Sequence, residues 1–413
     1  MYAGPVNWVF DLLKRAYHVD LIHNQDIRIT IGVSDQSDIR VSEKFYQDLL
    51  VNRNYSFSNY FDTKPIILLK DGSPDYISTI FYLVNGFQEY NLHVDFQDKY
   101  GRLNFKHSLQ YRFDVLEKDL VKSYFEKLLF QIDPNLKIPE KKSRIFLSHD
   151  IDSIYGSLKY DGLWSLKKMR VGDMLKIIWQ TALSRPPWFN MDKVAKLENA
   201  YDVKACYYWI VENGRDGMGI KNGDYNFHNS EVKRQYDLVH SYGNEMGIHK
   251  STMPTGFAKE CQKIPDAKSN RHHFLKIDNP SNYLEMEENG ILSDSSIGFP
   301  YNPGFKNSFG MPYFPYDIKR GGAFKVLEIP LQIMDGMYDI TDKSSAEKAY
   351  RDIEKFIDSN SKNAIISILW HNSELTEFAY RWSLDCYKKV LQYLVDNEYE
   401  CVLPSQMVKE YSL

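Results

Sequence analysis

The sequence predicts an α/β protein, with a distorted (β/α) barrel of about seven to eight strands preceded by a small α/β domain. Short apolar runs alternate with helical stretches from Arg144 onward. Runs that are apolar throughout indicate parallel strands covered on both faces, and about eight of them favour a barrel over an open sheet. The polar, proline-containing segment NLKIPEKKS (135–143) precedes this region. We therefore expect domains at residues 1–140 and 141–413.

The first third of the chain alternates between helical and strand-like patterns. A helix is expected around Trp8 to Tyr17, and apolar residues at helical spacing predict further helical segments in RVSEKFYQDLLV (40–51), YISTIFYLVNGFQEY (76–90) and FDVLEKDLVKSYFEKLLFQI (113–132). The runs IRITIGV (27–33) and PIILL (65–69) are strand-like. This mixture predicts a small α/β module.

The barrel strands are predicted from eight runs, most of which end in polar residues. They are RIFLSHDID (144–152), KACYYWIV (204–211), NEMGIHKS (244–251), NRHHFLK (270–276), SDSSIGF (293–299), LEIPLQIMD (327–335), AIISILWHN (364–372) and ECVLP (400–404). In such a barrel the chemistry lies at the carboxyl ends of the strands.

Composition narrows the classes of protein. A hydrophobic fraction of 43%, with 26% charged and 15% aromatic residues, is typical of a folded globular chain. The net charge of −4 comes without a basic block, so no nucleic-acid partner is expected. The four cysteines show no CxxC spacing and are expected to be reduced thiols.

The first residues predict an amphipathic helix and no secretion signal, because Asp11, Lys14 and Arg15 interrupt the apolar positions. No window has the unbroken apolar length of a transmembrane segment. We expect a cytoplasmic location.

Ionisable residues collect at the predicted strand ends. Asp150 and Asp152 close the first run, and His249, Arg271, His273 and His371 follow later ones. The side chains of residues two apart on a strand lie on the same face of the sheet, so the two aspartates are expected to point in the same direction. A carboxylate and imidazoles from separate strand ends can form an open divalent-metal site with room for water. A second carboxylate can then act as general base, and a further imidazole as general acid.

Each signal has a structural alternative. A single histidine at a strand end is more often hydrogen-bonded packing than a ligand. HDID could equally be a solvated turn or a helix N-cap. Only the coincidence of acid, histidine and arginine at several strand ends favours a functional site.

The order HDID, EMGIHKS, NRHHFLK, DSSIGF, LEIPLQIMD and ILWHN resembles the polysaccharide deacetylase superfamily, carbohydrate esterases that remove N-acetyl groups from sugars with one divalent metal. It is most similar to the bacterial subgroup in which a small α/β domain precedes the barrel. The resemblance implies a metal-dependent hydrolase of an N-acetylated sugar in a surface-glycan pathway.

The resemblance also implies roles for individual residues. Asp150 matches the catalytic base and Asp152 the metal-binding aspartate. His249 matches the first metal-binding histidine, Arg271 the arginine that orients the base, and His371 the histidine that protonates the leaving amine. Asp335 is expected to support the arginine or the histidine as an acidic partner.

Two positions depart from the family pattern. The second metal histidine is expected four residues after the first, where this chain has Met253, so His273 is our candidate for the third ligand. In GFKNSFGMPYFPYD (304–317), Lys306 stands where related sequences tend to carry arginine, and we expect it to contact substrate. Asp224 and Tyr225, in the loop 209–230, are further candidate substrate contacts.

Zinc is the expected metal, although a site of carboxylate and imidazole also accepts cobalt, nickel or iron. Two other functions stay open. The barrel could bind glycan with a degraded site, which Met253 favours, or it could hydrolyse a different amide, such as an N-formyl sugar or a cyclic ureide.

Overall fold

The computed structural model describes residues 2–21, 30–34, 36–183 and 185–412. In the first third the helices are α1 (Ala3–Tyr17), α2 (Glu43–Tyr46), α3 (Tyr76–Val84), α4 (Leu109–Arg112) and α5 (Leu120–Ile132), and two short parallel strands are β1 (Ile31–Gly32) and β2 (Ile39–Arg40). A π-helical turn, Gln47–Val51, continues α2. Asp75 and Asp119 cap α3 and α5 by accepting hydrogen bonds from backbone N–H groups.

The predicted helices of this region are present, but the two predicted strands form only in part or not at all. Residues 27–29 of the run IRITIGV lie outside the described residues, and β1 covers its end. The run PIILL forms only an isolated bridge between Leu68 and Pro74, because it has no partner strand beside it. Apolar residues of α1, α3 and α5 form the core here.

The second part of the chain holds a parallel sheet. Its strands in chain order are β3 (Arg144–Ile151), β4 (Ala205–Trp209), β5 (Glu245–Lys250), β6 (Ser269–His272) and β7 (Ser293–Asp294), followed, after the small hairpin β8 (Tyr316–Asp317) and β9 (Gly322–Ala323), by β10 (Leu327–Glu328), β11 (Ile333–Met334) and β12 (Ile365–Leu369). The order in the sheet is β10-β7-β6-β5-β4-β3-β12-β11.

The two end strands of this order belong to one chain segment, which closes the barrel. β10 pairs with β7, and β11, a few residues later, pairs with β12. Pro330 lies between them and has no N–H to give to a ladder. Counted as one interrupted strand, this segment gives a seven-stranded barrel, and the predicted (β/α) barrel is confirmed.

Helices cover the outside of the barrel. They are α6 (Ser157–Lys167), α7 (Val171–Ala182), α8 (Met191–Ala200), α9 (Ser230–Ser241), α10 (Phe257–Lys263), α11 (Ser281–Glu288), α12 (Lys343–Ser359), α13 (Arg381–Asp396) and α14 (Pro404–Tyr411). The eighth predicted run, ECVLP, forms a single bridge from Cys401 to Ile145 of β3 instead of a strand, since β3 already pairs with β12 on one side and with β4 on the other. No helix within the described ranges is both long and apolar enough to cross a bilayer.

The first third and the barrel share buried apolar side chains. Phe146, Tyr208 and Ile365 of the barrel strands belong to the same buried cluster as residues of α1, α3 and α5. Trp8 of α1 donates a hydrogen bond to the backbone carbonyl of Phe314. The boundary between residues 140 and 141 stays a prediction.

Candidate metal and catalytic site

The carboxyl ends of five barrel strands, β3, β5, β6, β11 and β12, bring the predicted catalytic and metal-binding residues together. Asp150 is near the end of β3 and Asp152 follows it, while His249 is on β5. In the sheet register His249 lies beside Arg271 of β6. Three chain segments turn into 3-10 helix just where further site residues lie: His273–Leu275 after β6, Asp335–Met337 after β11, and Asn372–Glu374 after His371.

Asp152, His249 and His273 form the candidate metal site. One carboxylate oxygen of Asp152 is 3.0 Å from Nε2 of His249, and the other is 3.6 Å from Nε2 of His273. One ligand atom from each of the three residues lies within 4.8 Å of the others. The structure thus brings together an acid and two imidazoles, the donor set that the sequence analysis proposed.

Each imidazole is oriented through its other nitrogen. Nδ1 of His249 is 2.9 Å from the carbonyl oxygen of Arg271, and Nδ1 of His273 is 3.3 Å from the side-chain oxygen of Asn222. Because both partners are oxygen acceptors, Nδ1 carries a proton, and Nε2 faces Asp152, where it presents a lone pair when the imidazole is neutral. Met253 lies four residues after His249 and has no imidazole, and the structure places the imidazole of His273 beside Asp152 and His249.

The pKa values of Asp152, His249 and His273 are shifted by burial and by the charges of neighbouring groups. Burial raises the pKa of Asp152, but the charges of His273 and His249 outweigh it and hold that pKa well below its usual range. Burial lowers the pKa of His249, yet Asp150 and Asp152 together raise it. For His273 burial dominates, so its pKa is lowered, which favours the neutral imidazole that a metal requires.

Asp150 is buried and paired with Arg271. One guanidinium nitrogen, Nη1, donates to an oxygen of Asp150 at 2.9 Å and also lies 2.9 Å from the hydroxyl of Ser148. The rest of the guanidinium donates to the hydroxyl and the backbone carbonyl of Ser295, and its plane lies over the ring of Tyr208. Burial lowers the pKa of Arg271, but the negative charge of Asp150 outweighs the effect of burial, and the pKa of Arg271 is raised. The arginine therefore fixes the orientation of Asp150.

His371 is held by Asp335. Its Nδ1 donates to one oxygen of Asp335 at 2.8 Å, and its backbone N–H donates to the other at 2.6 Å. Nε2 then points toward the site, 3.7 Å from an oxygen of Asp152. Burial lowers the pKa of His371, but the Asp335 carboxylate outweighs burial and raises it to about 10. The imidazole is thus a cation at neutral pH.

The structure places the three candidate substrate contacts in internal interactions. Lys306 is buried and forms an ion pair with Glu89, at 2.8 Å. Asp224 accepts hydrogen bonds from the Ser153 hydroxyl and from the backbone N–H of Ile154 and Tyr155, and the Tyr225 hydroxyl donates to the carbonyl of Ile151. Asp224 and Tyr225 brace the segment after β3, whereas Lys306 is paired with a residue from the first third of the chain. Substrate contact at Asp224 and Tyr225 stays a prediction, whereas the burial and pairing of Lys306 favour a structural role that KM can test.

Sequence reasoning missed the residues that orient the site. Asn222, in the long loop after β4, holds His273, and Ser148 and Ser295 hold Arg271. Their residue types carry no motif, so only the strand register could have indicated the serines. His149, which faces away from the cluster, is buried against Glu198, at 2.6 Å, and donates from Nδ1 to the carbonyl of Trp370.

A cavity of about 330 Å³ opens beside His273. Met253, Phe257, His272, Lys276 and Asp278 are among its lining residues. The cavity offers a mixed polar and apolar surface next to the candidate metal site.

The first third of the chain matches one protein-family profile. The profile of a family of unknown function (DUF7033) matches residues 12–135. No curated protein matches the sequence.

Solved structures similar to this chain include deacetylases. The Bc1960 peptidoglycan N-acetylglucosamine deacetylase is 12% identical with a TM-score of 0.36, covering 65% of this chain and 89% of that one. The chitin deacetylase of the fungal pathogen Colletotrichum lindemuthianum is 12% identical with a TM-score of 0.33, covering 65% and 90%. A CE4 family pseudoenzyme from Bacillus anthracis is 10% identical with a TM-score of 0.31, covering 67% and 71%. The similar structures therefore include enzymes and a pseudoenzyme.

Proposed function

We propose that the protein is a metal-dependent hydrolase that removes an N-acetyl group from an amino sugar of a surface-glycan pathway in the cytoplasm. The observation that carries the proposal is that three aspartates of the site each have a different partner. Asp152 faces two imidazole nitrogens, Asp150 is fixed by Arg271, and Asp335 keeps His371 cationic. A ligand, a base and an acid are the three parts that amide hydrolysis at a metal requires.

The donor set fits a divalent cation. The Asp152 oxygen nearest His249 is buried and receives no hydrogen bond from the described residues, so it has a lone pair without a partner. Both imidazoles present Nε2 to the same place. Bound there by Asp152, His249 and His273, an ion such as zinc would supply Lewis acidity to a water molecule and to the amide carbonyl.

Asp150 is suited to accept the proton of the attacking water. Its oxygen Oδ1 is occupied by Arg271, while Oδ2 is 3.7 Å from Nε2 of His249 and so faces the metal cluster. The ion pair with Arg271 holds this carboxylate in one orientation, and a general base must lie within reach of the proton that it accepts. Arg271 is therefore a positioning residue for Asp150.

His371 is suited to donate a proton to the departing sugar nitrogen. Its Nδ1 proton is committed to Asp335, so the proton on Nε2 is the one available to a substrate in the site. When the C–N bond breaks, this proton neutralises the leaving amine, and acetate and the free amino sugar result. Asp335 then stabilises the cation that His371 must regenerate for the next turnover.

Acetate release tests the proposal. The full chain, stripped with a chelator and reloaded with zinc or cobalt, is incubated with N-acetylglucosamine, its β-1,4 oligomers and UDP-N-acetylglucosamine. We expect acetate from at least one of them, loss of that activity in Asp150→Asn, and full activity in His228→Gln, an exposed histidine outside the site. Release of formate from N-formyl sugars alone would replace the acetyl substrate by a formyl one. No product from any of these amides would refute the proposal.

A further inference from the structure

The helical hairpin formed by α6 and α7, residues 157–183, exposes an unusual amount of apolar surface. Leu166, Met169, Val171, Leu175 and Trp179 are each between 61% and 87% exposed. Leu158, Leu163, Ile178 and Leu183 add to the same exposed surface. A single exposed apolar residue needs no explanation, but this many on one helical hairpin mark an interaction surface.

The apolar residues of α7 lie on one side of that helix. Val171, Leu175, Ile178 and Trp179 follow the spacing of a helical stripe, and this stripe is the exposed side. The opposite side, with Ile177 buried, packs against α6. An amphipathic helix in a folded protein normally buries its apolar stripe, so α7 presents to the outside what would otherwise face a core.

Basic residues outnumber acidic ones in the hairpin. The hairpin contains Lys159, Lys167, Lys168, Arg170 and Lys176, against only Asp161 and Asp173. Asp161 is buried and Asp173 pairs with Arg170, at 2.5 Å. The segment therefore has a formal net charge of +3 in a chain whose net charge is −4.

The tip of the hairpin concentrates both properties. In LKKMRV (166–171), Met169 is 87% exposed between Lys168 and Arg170, in the turn that joins the two helices. Apolar tips flanked by cations are suited to the boundary between lipid headgroups and acyl chains, where the side chains enter the apolar layer and the cations meet phosphates.

We propose that the α6–α7 hairpin docks the protein on an anionic lipid surface. Charge argues against a second copy as the partner, because two such hairpins placed face to face would bring cationic surfaces together. A membrane with anionic headgroups would pair its phosphates with the cations and bury the apolar stripe in its apolar layer. Trp179 on the stripe is a residue type that favours the membrane interface.

The base of the hairpin is fixed to the mouth of the barrel. Asn372, next to His371, donates hydrogen bonds to the carbonyls of Ser153 and Trp188. Trp188 in turn donates to Asp161 of α6 and stacks on Tyr160. Docking through the hairpin would therefore hold the candidate site beside the lipid surface. This proposal concerns binding and does not depend on the proposed reaction.

Vesicle sedimentation of the full chain tests the proposal. The probes are phosphatidylcholine vesicles with about one third phosphatidylglycerol and vesicles of phosphatidylcholine alone. We expect binding to the anionic vesicles only, weakened at least about tenfold by Leu175→Ser/Trp179→Ser and by Lys167→Glu/Lys168→Glu. Matched controls are Val94→Ser/Phe130→Ser, equally exposed but outside the hairpin, and Lys343→Glu/Lys348→Glu on α12; both should bind as the unchanged protein does.

Three results would overturn it. The first is no binding of the unchanged protein to anionic vesicles, and the second is equal binding by the hairpin variants. The third is a dimer in solution that Leu175→Ser/Trp179→Ser converts to a monomer, since this would assign the apolar surface to a second copy.

Discussion

An oxygen of the Asp152 carboxylate lies 3.0 Å from Nε2 of His249, and the described residues donate no hydrogen bond to that oxygen. Because Nδ1 of His249 is committed to a backbone carbonyl, the two atoms that meet here both carry lone pairs. Such a contact is favourable only with a cation between them, either a proton or a metal ion. The site is therefore built to hold positive charge.

Metal binding should depend on His273 as strongly as on His249. We expect the unchanged chain to retain about one zinc or cobalt ion, and Asp152→Asn, His249→Gln and His273→Gln each to lower metal affinity on the order of 100-fold or more. Elemental analysis after dialysis against a weak chelator measures this. His228→Gln, at an exposed histidine, should keep the metal. Retention of the metal by His273→Gln would show that another residue is the third ligand.

The pH dependence of catalysis should respond to Asp335. The general acid must be protonated, so the rate falls as the pH rises through the pKa of His371, which Asp335 raises to about 10. Asp335→Asn removes the negative charge that outweighs burial, so that pKa falls and the alkaline limb of kcat moves to lower pH by about one unit or more.

The measurement is kcat between about pH 6 and pH 10 for the reloaded enzyme. Asp339→Asn changes an exposed acid on the same segment and should leave the profile where it was. An unchanged alkaline limb in Asp335→Asn would mean that His371 is not the proton donor.

The pair formed by Arg271 and Asp150 should couple strongly in stability. Both side chains are at most 3% exposed, so Arg271→Met leaves a buried carboxylate without its cation, at a cost of about 3–5 kcal/mol in the free energy of unfolding. Asp150→Asn/Arg271→Met should cost less than Arg271→Met alone, since it removes the unpaired charge. Urea unfolding of the single and double variants measures the coupling, and additive losses would contradict it.

The sequence was sufficient for the barrel because its strands are apolar throughout, and strands of that kind in series have few alternative arrangements. It was also sufficient for the strand-end residues, since parallel strands gather their carboxyl ends. His273 was proposed on the same reasoning, from its place beside Arg271.

The sequence could not supply the orienting partners. Asn222 comes from a loop about 50 residues before His273, and Glu89 comes from the first third of the chain to meet Lys306. Such contacts depend on how segments distant in sequence pack, and no spacing rule encodes them. ECVLP failed as a strand for a related reason: its composition fits a strand, but β4 and β12 already occupy both sides of β3, the strand that it meets.

Lys306 should stabilise the fold without contributing to substrate affinity. Its side chain is 3% exposed and neutralised by Glu89, which is 12% exposed, so Lys306→Met should cost about 3 kcal/mol in the free energy of unfolding. Lys306→Met/Glu89→Gln should recover part of that loss. Lys362→Met breaks an exposed ion pair with Glu140 and should cost less than about 1 kcal/mol.

The Michaelis constant distinguishes this role from substrate contact at Lys306. Because the ammonium is buried and its charge is neutralised by Glu89, KM of Lys306→Met should stay within about twofold of the wild-type enzyme at a temperature where both are folded. A KM raised about tenfold, with kcat retained, would instead mean that the ammonium binds substrate directly, and that the ion pair with Glu89 opens when it does.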